Sequence, residues 1–441
     1  MTKNSSNFSK SFTKKTCPNN KSNHNSICEN LLKKGIEILL QLETTQKTFD
    51  DLLDDIKDKV ERKRVSHLLF SYLRNKNFID SEIARLCTKA LPKKKIAKLL
   101  ALAMTQSKFQ QGIAPEAAIN VAVEIAKKDR ADKFVNGVLR NFLRSNTQPF
   151  TEAKDIFPEV LYKRWKKHYP DNLPQIAQAY LTESPFTFRI EKDYTIDFID
   201  EVKPIASFGN YRFFTTNKPG KILESKEFAE GKIYIQDPAT SLAPSLANYD
   251  NVKSVIDLCA APGGKSLLMA EKLNPNATLL AIDKSEKRQK FTLENFQKRN
   301  LSYEVKTALP EDIKGSFDLV LADVPCSNTG VCCKRPDSIL RFSAKDLASI
   351  TKIQKQILEE AARLTNSNGQ LIYSTCSIEP EENILMVEEF VKNHKDCAEY
   401  NPSTIGGHFD YIVTPTSIGE IVHIQCSICK KNKDITDYDC W

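Results

Sequence analysis

Several features common in other protein classes are missing from this chain of 441 residues. Its longest apolar stretches, such as residues 99–104, are far shorter than the roughly 20 residues that a membrane-spanning helix requires. Residues 1–6 contain no apolar segment after the first charge, so we expect no secretory signal. The 12 cysteines are scattered rather than spaced as a framework, which argues against a disulfide-stapled fold. We therefore expect a cytoplasmic protein with free thiols and no membrane partner.

Two familiar nucleotide-binding loops are also absent. The sequence contains neither G-x-G-x-x-G nor G-x-x-x-x-G-K-[ST]. These loops bind the pyrophosphate of NAD and the phosphates of ATP. Their absence argues against both cofactors.

The chain has no acidic residue before Glu29. Residues 1–26 are rich in Ser, Asn and Lys, so we predict a disordered tail. Organelle transit peptides are also acid-poor, but this start has no arginine and no regular apolar spacing. Over the whole chain, 64 Lys and Arg are largely offset by 56 Asp and Glu, which leaves a net charge of +8. That balance is compatible with nucleic acid and equally with a lysine-rich surface.

The chain is too long for one hydrophobic core, and its apolar pattern divides it into three domains. Residues 27–149 repeat apolar positions at spacings near three and four, which predicts an all-α domain of six to eight helices. Residues 150–236 contain a helix and short strand-like runs (186–190, 211–214 and 232–235), which indicate a small α/β subdomain. From 237 to 441 strands and helices alternate, which is typical of a Rossmann-like, doubly wound parallel sheet. The predicted strands of that sheet are 254–258, 278–282, 303–307, 317–322 and 370–374, and the predicted helices lie near 264–273, 285–299, 346–365 and 381–393.

A turn of small residues follows the first predicted strand of this sheet. Asp257 ends that strand, residues 260–264 form the turn, and Asp283 ends the second strand. In open α/β sheets ligands bind outside the carboxyl ends of the strands, and an acid at the second strand suits ribose hydroxyls. A ligand with ribose but no pyrophosphate, such as S-adenosylmethionine, fits this pattern. The plain alternative is a tight strand–helix turn with no ligand.

Two cysteines follow two other predicted strands. Cys326 comes three residues after Asp323, and Cys376 follows the last strand, so both thiols and the carboxyl group are expected at one edge of the sheet. A thiolate that adds to C6 of cytosine makes C5 nucleophilic enough to accept a methyl group. A carboxyl group can assist at the ring nitrogen, and a base must then remove the C5 proton. The alternative is a small buried hydrophobe, which is our interpretation of Cys87, Cys259 and Cys397 on the residues alone.

The motifs that carry these residues resemble those of the RNA cytosine-5 methyltransferases, the Nol1/Nop2/Sun family. They are residues 257–265 (Asp-Leu-Cys-Ala-Ala-Pro-Gly-Gly-Lys), 323–327 (Asp-Val-Pro-Cys-Ser), 329–331 (Thr-Gly-Val) and 373–383 (Tyr-Ser-Thr-Cys-Ser-Ile-Glu-Pro-Glu-Glu-Asn). Residues 134–143 are similar to the NusB-type RNA-binding domain. The resemblance covers about residues 30 to 395. It implies a class I methyltransferase domain with a NusB-like domain before it, and 16S ribosomal RNA as substrate.

The resemblance also implies roles for individual residues. Cys376 matches the nucleophile that bonds C6, whereas Cys326 matches the second cysteine, which assists proton removal and product release. DNA cytosine methyltransferases attack with the Pro-Cys cysteine instead, so the second cysteine points to the RNA class. Asp323 matches the acid that contacts the target base. The positions that match S-adenosylmethionine contacts are Cys259, Ala260, Ala261, Pro262, Gly263, Gly264, Lys265, Asp283, Asp312 and Asp323.

Four further positions are interpreted by the same resemblance. Gln236 and Asp237 match an element just ahead of the catalytic domain, for which we expect a positional role. Arg335 and Arg341 follow the Thr-Gly-Val turn and are candidates for phosphate contacts, with a solvated surface as the alternative.

The chain departs from the family pattern at two places. Asn328 stands where the family usually has Gly, and Asn tolerates a positive φ better than most residues. The family's final strand is not evident. Instead Cys426 and Cys429 follow His423, and Cys440 comes near the end. One C-x-x-C without a second ligand pair is weak support for zinc, so we expect no metal and an eroded tail.

Two other functions remain open on the sequence. One keeps the chemistry but changes the substrate to tRNA or large-subunit ribosomal RNA. The other is a catalytically inactive RNA-binding or assembly factor. We expect a monomer with no obligate protein partner.

Overall fold

The computed structural model describes residues 21–45, 47–88, 91–196, 202–208, 210–394, 409–416 and 419–426. The chain divides into two compact units, Met1–Ile156 and Phe157–Trp441. The small α/β subdomain therefore shares a unit with the parallel sheet. In the part of the chain that the model describes, no helix has the length and apolar character needed to cross a membrane.

The first unit is helical, as the apolar spacing predicts. Its described residues form α1 (Lys21–Thr44), α2 (Phe49–Asp54), α3 (Lys59–Arg74), α4 (Lys76–Leu86), α5 (Lys94–Phe109), α6 (Pro115–Lys127), α7 (Asp132–Ser145) and α8 (Ala153–Ile156). In α7 the buried residues are Val135, Val138, Leu139 and Phe142, three or four positions apart along one face. α5 is buried continuously from Leu99 to Gln106, so it lies at the centre of the unit.

The start of α1 corrects one prediction. The helix begins at Lys21, so residues 21–26 are helical rather than part of a disordered tail. Residues 1–20 lie outside the described residues.

The second unit opens with two helices and a small antiparallel sheet. The elements are α9 (Glu159–His168), α10 (Leu173–Leu181), β1 (Phe186–Glu191), β2 (Val202–Phe208), β3 (Tyr211–Thr216), α11 (Pro219–Leu223), α12 (Lys226–Ala229) and β4 (Ile233–Tyr234). The strand order is β2-β3-β1-β4. The sequence analysis missed β2, an edge strand whose register shifts between Pro204 and Ala206. Proline is confined to edges and bulges of sheets, which is why this segment carries no clear strand pattern.

The large sheet is parallel, as predicted. After α13 (Leu242–Leu246) come β5 (Ser254–Asp257), α14 (Gly264–Ala270), β6 (Thr278–Asp283), α15 (Glu286–Gln297), β7 (Glu304–Thr307), β8 (Phe317–Asp323), α16 (Asp337–Arg341), α17 (Ala344–Leu364), β9 (Thr365–Ser374) and α18 (Ile384–Asn393). The order is β7-β6-β5-β8-β9, with every pair parallel. Helices cover both faces of the sheet, so its central residues are fully buried. Examples are Val255, Ile256, Ala281 and Leu321.

The strand order reverses beside β5, since β6 lies on one side of it and β8 on the other. Ligand crevices in open α/β sheets form at such a reversal, outside the carboxyl ends of the strands. The three central strands end at Asp257, Asp283 and Asp323. Three carboxyl groups are thus brought to one edge.

The last residues that the structure describes form a hairpin rather than a further strand of the large sheet. β10 (Phe409–Thr416) and β11 (Gly419–Cys426) pair antiparallel with each other. In the described part of the chain they form a separate two-stranded sheet. Cys429 and Cys440, considered above as metal ligands, lie outside the described residues.

Candidate active site at the carboxyl edge of the sheet

The turn after β5, which we call the glycine turn (residues 258–264), needs glycine for steric reasons. Gly263 has φ of 93°, in the left-handed region that side chains rarely adopt, and a Cβ there would lie 2.9 Å from Thr292 Cγ2. A Cβ on Gly264 would lie 3.2 Å from the Tyr234 ring. The turn is thus packed closely against α15 and β4, and its backbone is held in one conformation.

Asp257, which precedes this turn, is buried and has a perturbed acidity. Its carboxyl group is 1% exposed, and Ser266 Oγ donates a hydrogen bond of 2.6 Å to its Oδ2. Burial raises the pKa of Asp257 to about 7. Burial also raises the pKa of the neighbouring Cys259 thiol above its ordinary value, so that sulfur stays protonated at neutral pH.

Asp283 ends β6, and Asp312 follows β7 at the same edge of the sheet. Asp283 is 3% exposed, and the backbone N–H of Ser285 donates to its Oδ1 at 2.9 Å. Asp312 is exposed in a short 3₁₀ turn, where the N–H of Leu309 donates to its Oδ2 at 3.2 Å. The sequence analysis missed Arg288, whose Nη2 lies 3.6 Å from Asp283 Oδ2 and donates to the Ala261 carbonyl at 2.6 Å. Arg288 therefore links β6 to the glycine turn. No local sequence motif predicts this contact.

Asp323 is held from two sides. Lys265 Nζ donates to its Oδ2 at 2.7 Å, and Ser374 Oγ donates to its Oδ1 at 2.7 Å. Burial lowers the pKa of Lys265, but the charge and hydrogen bond of Asp323 outweigh it, so the pKa of Lys265 is raised. The lysine stays an ammonium and fixes the carboxylate between α14 and β9.

The two cysteines that the sequence analysis singled out are brought into contact. Cys326 Sγ and Cys376 Sγ are 2.9 Å apart, and the Cys376 N–H donates to Cys326 Sγ at 3.3 Å. The Gly330 N–H donates to the Cys376 carbonyl at 3.1 Å, which joins the two turns that carry the thiols. The contact with Cys376, together with burial, raises the pKa of Cys326 well above its ordinary value. Cys326 is therefore a thiol at neutral pH.

Asn328, the departure from the family pattern, keeps the turn intact. Its φ is 60°, so the expectation that asparagine adopts the glycine conformation is confirmed. Its Nδ2 donates to the Cys326 carbonyl at 3.0 Å, and its Oδ1 accepts a hydrogen bond from Cys376 Sγ at 3.0 Å. A glycine makes neither contact.

The loop after Cys376 is attached to α9 by a buried carboxylate. Glu379 is 0% exposed and accepts hydrogen bonds of 2.8 Å from both Trp165 Nε1 and Arg164 Nε. Burial raises the pKa of Glu379, and these two donors partly offset that effect. Tyr169 donates to the Ile378 carbonyl at 2.5 Å. The sequence analysis gave these residues no role, because their partners are more than 200 positions away along the chain.

Arg335 and Arg341, the candidates for phosphate contacts, share one partner. Arg335 Nε lies 3.1 Å from Asp337 Oδ1, and Arg341 Nη2 lies 2.7 Å from Asp337 Oδ2. Asp337 is 4% exposed, so its charge is compensated within the protein. The aspartate neutralises part of the positive charge that a phosphate contact would use.

The pair Gln236 and Asp237 makes structural contacts. Lys334 Nζ donates to Asp237 Oδ2 at 2.6 Å, and the Ala239 N–H donates to Asp237 Oδ1 at 3.1 Å. Gln236 is buried against Gly264 of the glycine turn. These contacts agree with the positional role expected from the sequence.

The parallel sheet, the glycine turn after its first strand and the acids that end the central strands define a class I methyltransferase domain. Residues 243–410 match the model of the 16S rRNA methyltransferase RsmB/F family, and residues 33–144 match the NusB family. The second unit is therefore similar to the RsmB/F methyltransferases over residues 243–410, and the first unit is similar to the NusB family over residues 33–144.

Two curated relatives match most of the length of this chain. The ribosomal RNA small subunit methyltransferase B of Escherichia coli O1:K1 is 28% identical over 395 residues, which cover 83% of this chain and 91% of that protein. The protein of the same name from Escherichia fergusonii has the same identity and coverage. Among solved structures, that of PH0851 has a TM-score of 0.66 at 19% identity and covers 89% of this chain and 97% of its own. This last similarity is one of fold.

Proposed function

We propose that the protein transfers a methyl group from S-adenosylmethionine to C5 of a cytosine in 16S ribosomal RNA, through a covalent bond between Cys376 and C6. The observation that carries this proposal is the contact of Cys376 with Cys326 beside the Lys265–Asp323 pair. The RNA substrate is taken from the family and from the names of the relatives. A NusB-family domain supports an RNA substrate.

The residues at the edge of the sheet fit the proposed cofactor. Residues 259–265 would hold it along the glycine turn, and the buried carboxylate of Asp283 suits the two hydroxyls of a ribose. The exposed Asp312 is assigned to the adenine end by its position after β7. When bound, S-adenosylmethionine supplies an electrophilic methyl group.

Bond formation begins with Cys376. Its thiol loses its proton to water, and the thiolate adds to C6 of the cytosine while the C5–C6 double bond opens, which makes C5 a nucleophile. A proton or hydrogen bond at the ring nitrogen assists this addition, and general acid assistance is typically worth about 10²–10⁴ in rate. We assign it to Asp323, whose carboxyl group Lys265 and Ser374 hold in place by hydrogen bonds of 2.7 Å each.

Product release requires removal of the C5 proton. Cys326 is assigned to this step, because its sulfur is 2.9 Å from the one that must leave C6. The base then takes up the proton, the S–C6 bond breaks, and Cys376 departs as a thiolate. The target cytosine must leave any base stack to reach the thiols, so a loop or a weak helix is expected.

The test is methyl transfer from labelled S-adenosylmethionine to unmodified, protein-free 16S ribosomal RNA. We expect labelled 5-methylcytosine from the wild type and none from Cys376→Ala. Cys87→Ala is a matched control, because Cys87 is a buried cysteine in the first unit and should keep the activity.

Other outcomes reject parts of the proposal. Label in tRNA or large-subunit ribosomal RNA, but not in 16S RNA, would reject the substrate and keep the chemistry. Retention of activity in Cys376→Ala would reject the nucleophile. RNA binding without transfer to any of these RNAs would favour an inactive assembly factor.

A further inference from the structure

A fully buried carboxylate without an assigned role lies between the two cysteine turns. Glu382 is 0% exposed. Its Oε1 accepts a 2.8 Å hydrogen bond from the Ser327 N–H, and its Oε2 accepts hydrogen bonds from Ser327 Oγ and Ser377 Oγ. Ser327 directly follows Cys326, and Ser377 directly follows Cys376. One carboxylate thus holds the residue next to each thiol.

A second side chain reinforces this arrangement. Gln354 of α17 is 0% exposed, and its Nε2 donates to Glu382 Oε1 at 2.9 Å and to the Pro325 carbonyl at 2.9 Å. Thr329 Oγ1 lies 3.1 Å from Ser377 Oγ and accepts a 3.1 Å hydrogen bond from the Ile378 N–H. We call Glu382, Gln354, Ser327, Ser377 and Thr329 the Glu382 network.

The Glu382 network connects several elements rather than a single loop. A carboxyl group in the protein interior costs free energy unless hydrogen-bond partners satisfy both of its oxygens. Of the donors named above, Ser377 belongs to the loop of Glu382, whereas Ser327 and Gln354 come from other elements. Glu382 therefore connects the two cysteine turns through one side chain, in addition to the hydrogen bond between the Gly330 N–H and the Cys376 carbonyl.

We propose that Glu382 sets the distance between the two thiols and so positions both for catalysis. This inference rests on the proposed function. Reacting atoms must approach within about 3–3.5 Å, and a misplacement of about 1 Å can cost roughly 10²-fold in rate. Glu382 is a positioning residue, since its carboxylate acts on the substrate through the two turns.

The proposal predicts a pattern that neither cysteine variant produces. Cys376→Ala removes bond formation and Cys326→Ala impairs release, whereas Glu382→Ala should slow both steps, each by about 10²-fold. Single-turnover methyl transfer and the lifetime of the covalent RNA adduct measure the two steps separately. Loss of one step alone in Glu382→Ala would overturn the proposal.

Two variants separate positioning from general stability. In Glu382→Gln the remaining oxygen can accept from the Ser327 N–H and Gln354, and the amide can donate to the two hydroxyls, so we expect rates within about tenfold of wild type. Glu379→Ala removes an equally buried carboxylate from the same loop, whose partners are Trp165 and Arg164. It should lower stability at least as much and affect the two steps far less.

An experiment without RNA tests the distance between the Cys326 and Cys376 sulfurs directly. A diazene oxidant such as diamide removes two electrons and two protons from Cys326 and Cys376, which close a disulfide while the diazene is reduced to a hydrazine. Closure, mapped by mass spectrometry of the joined peptides, should be at least tenfold slower in Glu382→Ala than in wild type or Glu379→Ala. Ser377→Ala removes one donor to Glu382 and should give an intermediate rate of disulfide closure. This variant replaces Glu382→Ala in the test if Glu382→Ala does not fold.

The outcomes distinguish the two proposals. Closure in folded Glu382→Ala as fast as in wild type would overturn the role of Glu382. Slow closure in that variant, combined with a wild type that methylates no RNA, would reject the proposed function and leave the positioning role standing.

Discussion

At the scale of single residues, Cys326 and Cys376 differ in their surroundings although their sulfurs touch. Cys376 Sγ donates to Asn328 Oδ1, whereas Cys326 Sγ accepts from the Cys376 N–H. Contact with Cys376, and then burial, raises the pKa of Cys326 well above its ordinary value. The geometry therefore gives two chemically identical side chains different surroundings, which is the basis of the different tasks that we propose for them.

This raised pKa predicts how product release depends on pH. A thiol whose pKa is raised remains protonated through neutral pH, and a base must first lose that proton. The release step should therefore accelerate as pH rises above 7, in single-turnover measurements with 16S ribosomal RNA. In Cys326→Ala we expect the covalent adduct to accumulate and this pH dependence to disappear. Release that is equally fast at pH 6.5 and pH 9 in wild type would contradict the assignment.

At the scale of elements, the glycine turn joins β5 to α14 through a conformation that only glycine adopts without strain. Gly263→Ala would place a methyl group 2.9 Å from Thr292 Cγ2 at φ of 93°. A non-glycine residue in such a conformation costs about 1–3 kcal/mol. We expect a loss of stability of that order, measured by denaturant unfolding, and weaker binding of S-adenosylhomocysteine by calorimetry.

Gly137→Ala is the matched control for this prediction. Gly137 lies in α7, and a Cβ there would meet nothing within 4 Å. Alanine in a helix is favoured over glycine by about 0.5–1 kcal/mol, so this variant should be slightly more stable and bind the ligand unchanged. Equal effects of the two substitutions on stability and ligand binding would show that position 263 does not require glycine.

The Glu382 network belongs to the same scale, because it joins the turns after β8 and β9 to α17. The parallel pairing of β8 with β9 already aligns Asp323 with Ser374. Register alone brings the two cysteine turns near each other, and the carboxylate then fixes their spacing. Strand pairing and a buried polar contact thus make separate contributions to one site.

At the scale of the whole molecule, the pH dependence of stability follows from a buried acid of the second unit. Burial raises the pKa of Asp257 to about 7. The folded protein then holds protons that the unfolded chain releases near its ordinary carboxyl pKa, so stability falls as pH rises from about 4 to 7. One such group changes the free energy of unfolding by at most about 1.4 kcal/mol per pH unit.

Asp257→Asn should make that slope shallower in the ligand-free protein. The amide keeps an oxygen for Ser266 and no longer titrates, so the variant should gain stability relative to wild type at pH 8 and little at pH 4. Thermal unfolding over this pH range measures the effect. Asp250→Asn removes an exposed carboxylate and should leave the slope as it is. An unchanged slope in Asp257→Asn would mean that Asp257 is ionised in the folded state.

The sequence predicted the main elements of the molecule, and it placed some of their boundaries wrongly. Apolar periodicity located the helical domain and the strands of the parallel sheet to within a few residues, and β8 ends at Asp323 beside Cys326. β2 was missed because Pro204 and exposed residues obscure its pattern. The pattern also placed a domain boundary at 149, whereas the first compact unit extends to Ile156. Periodicity reports which face of an element is buried and contains no information on which elements share a core.

The amino-acid sequence by itself determined the helical domain, the parallel sheet, the glycine turn and the pair of cysteines, because each depends on local spacing and residue type. The tertiary structure decided which side chains meet. Ser327 and Glu382 are 55 positions apart, and Arg164 and Glu379 are 215 apart. It also decided the acidity of Asp257 and Cys326, since a pKa depends on burial and on neighbours in space. Hydrogen bonds and electrostatic interactions act over a few ångströms whatever the separation along the chain, so only the folded protein reveals them.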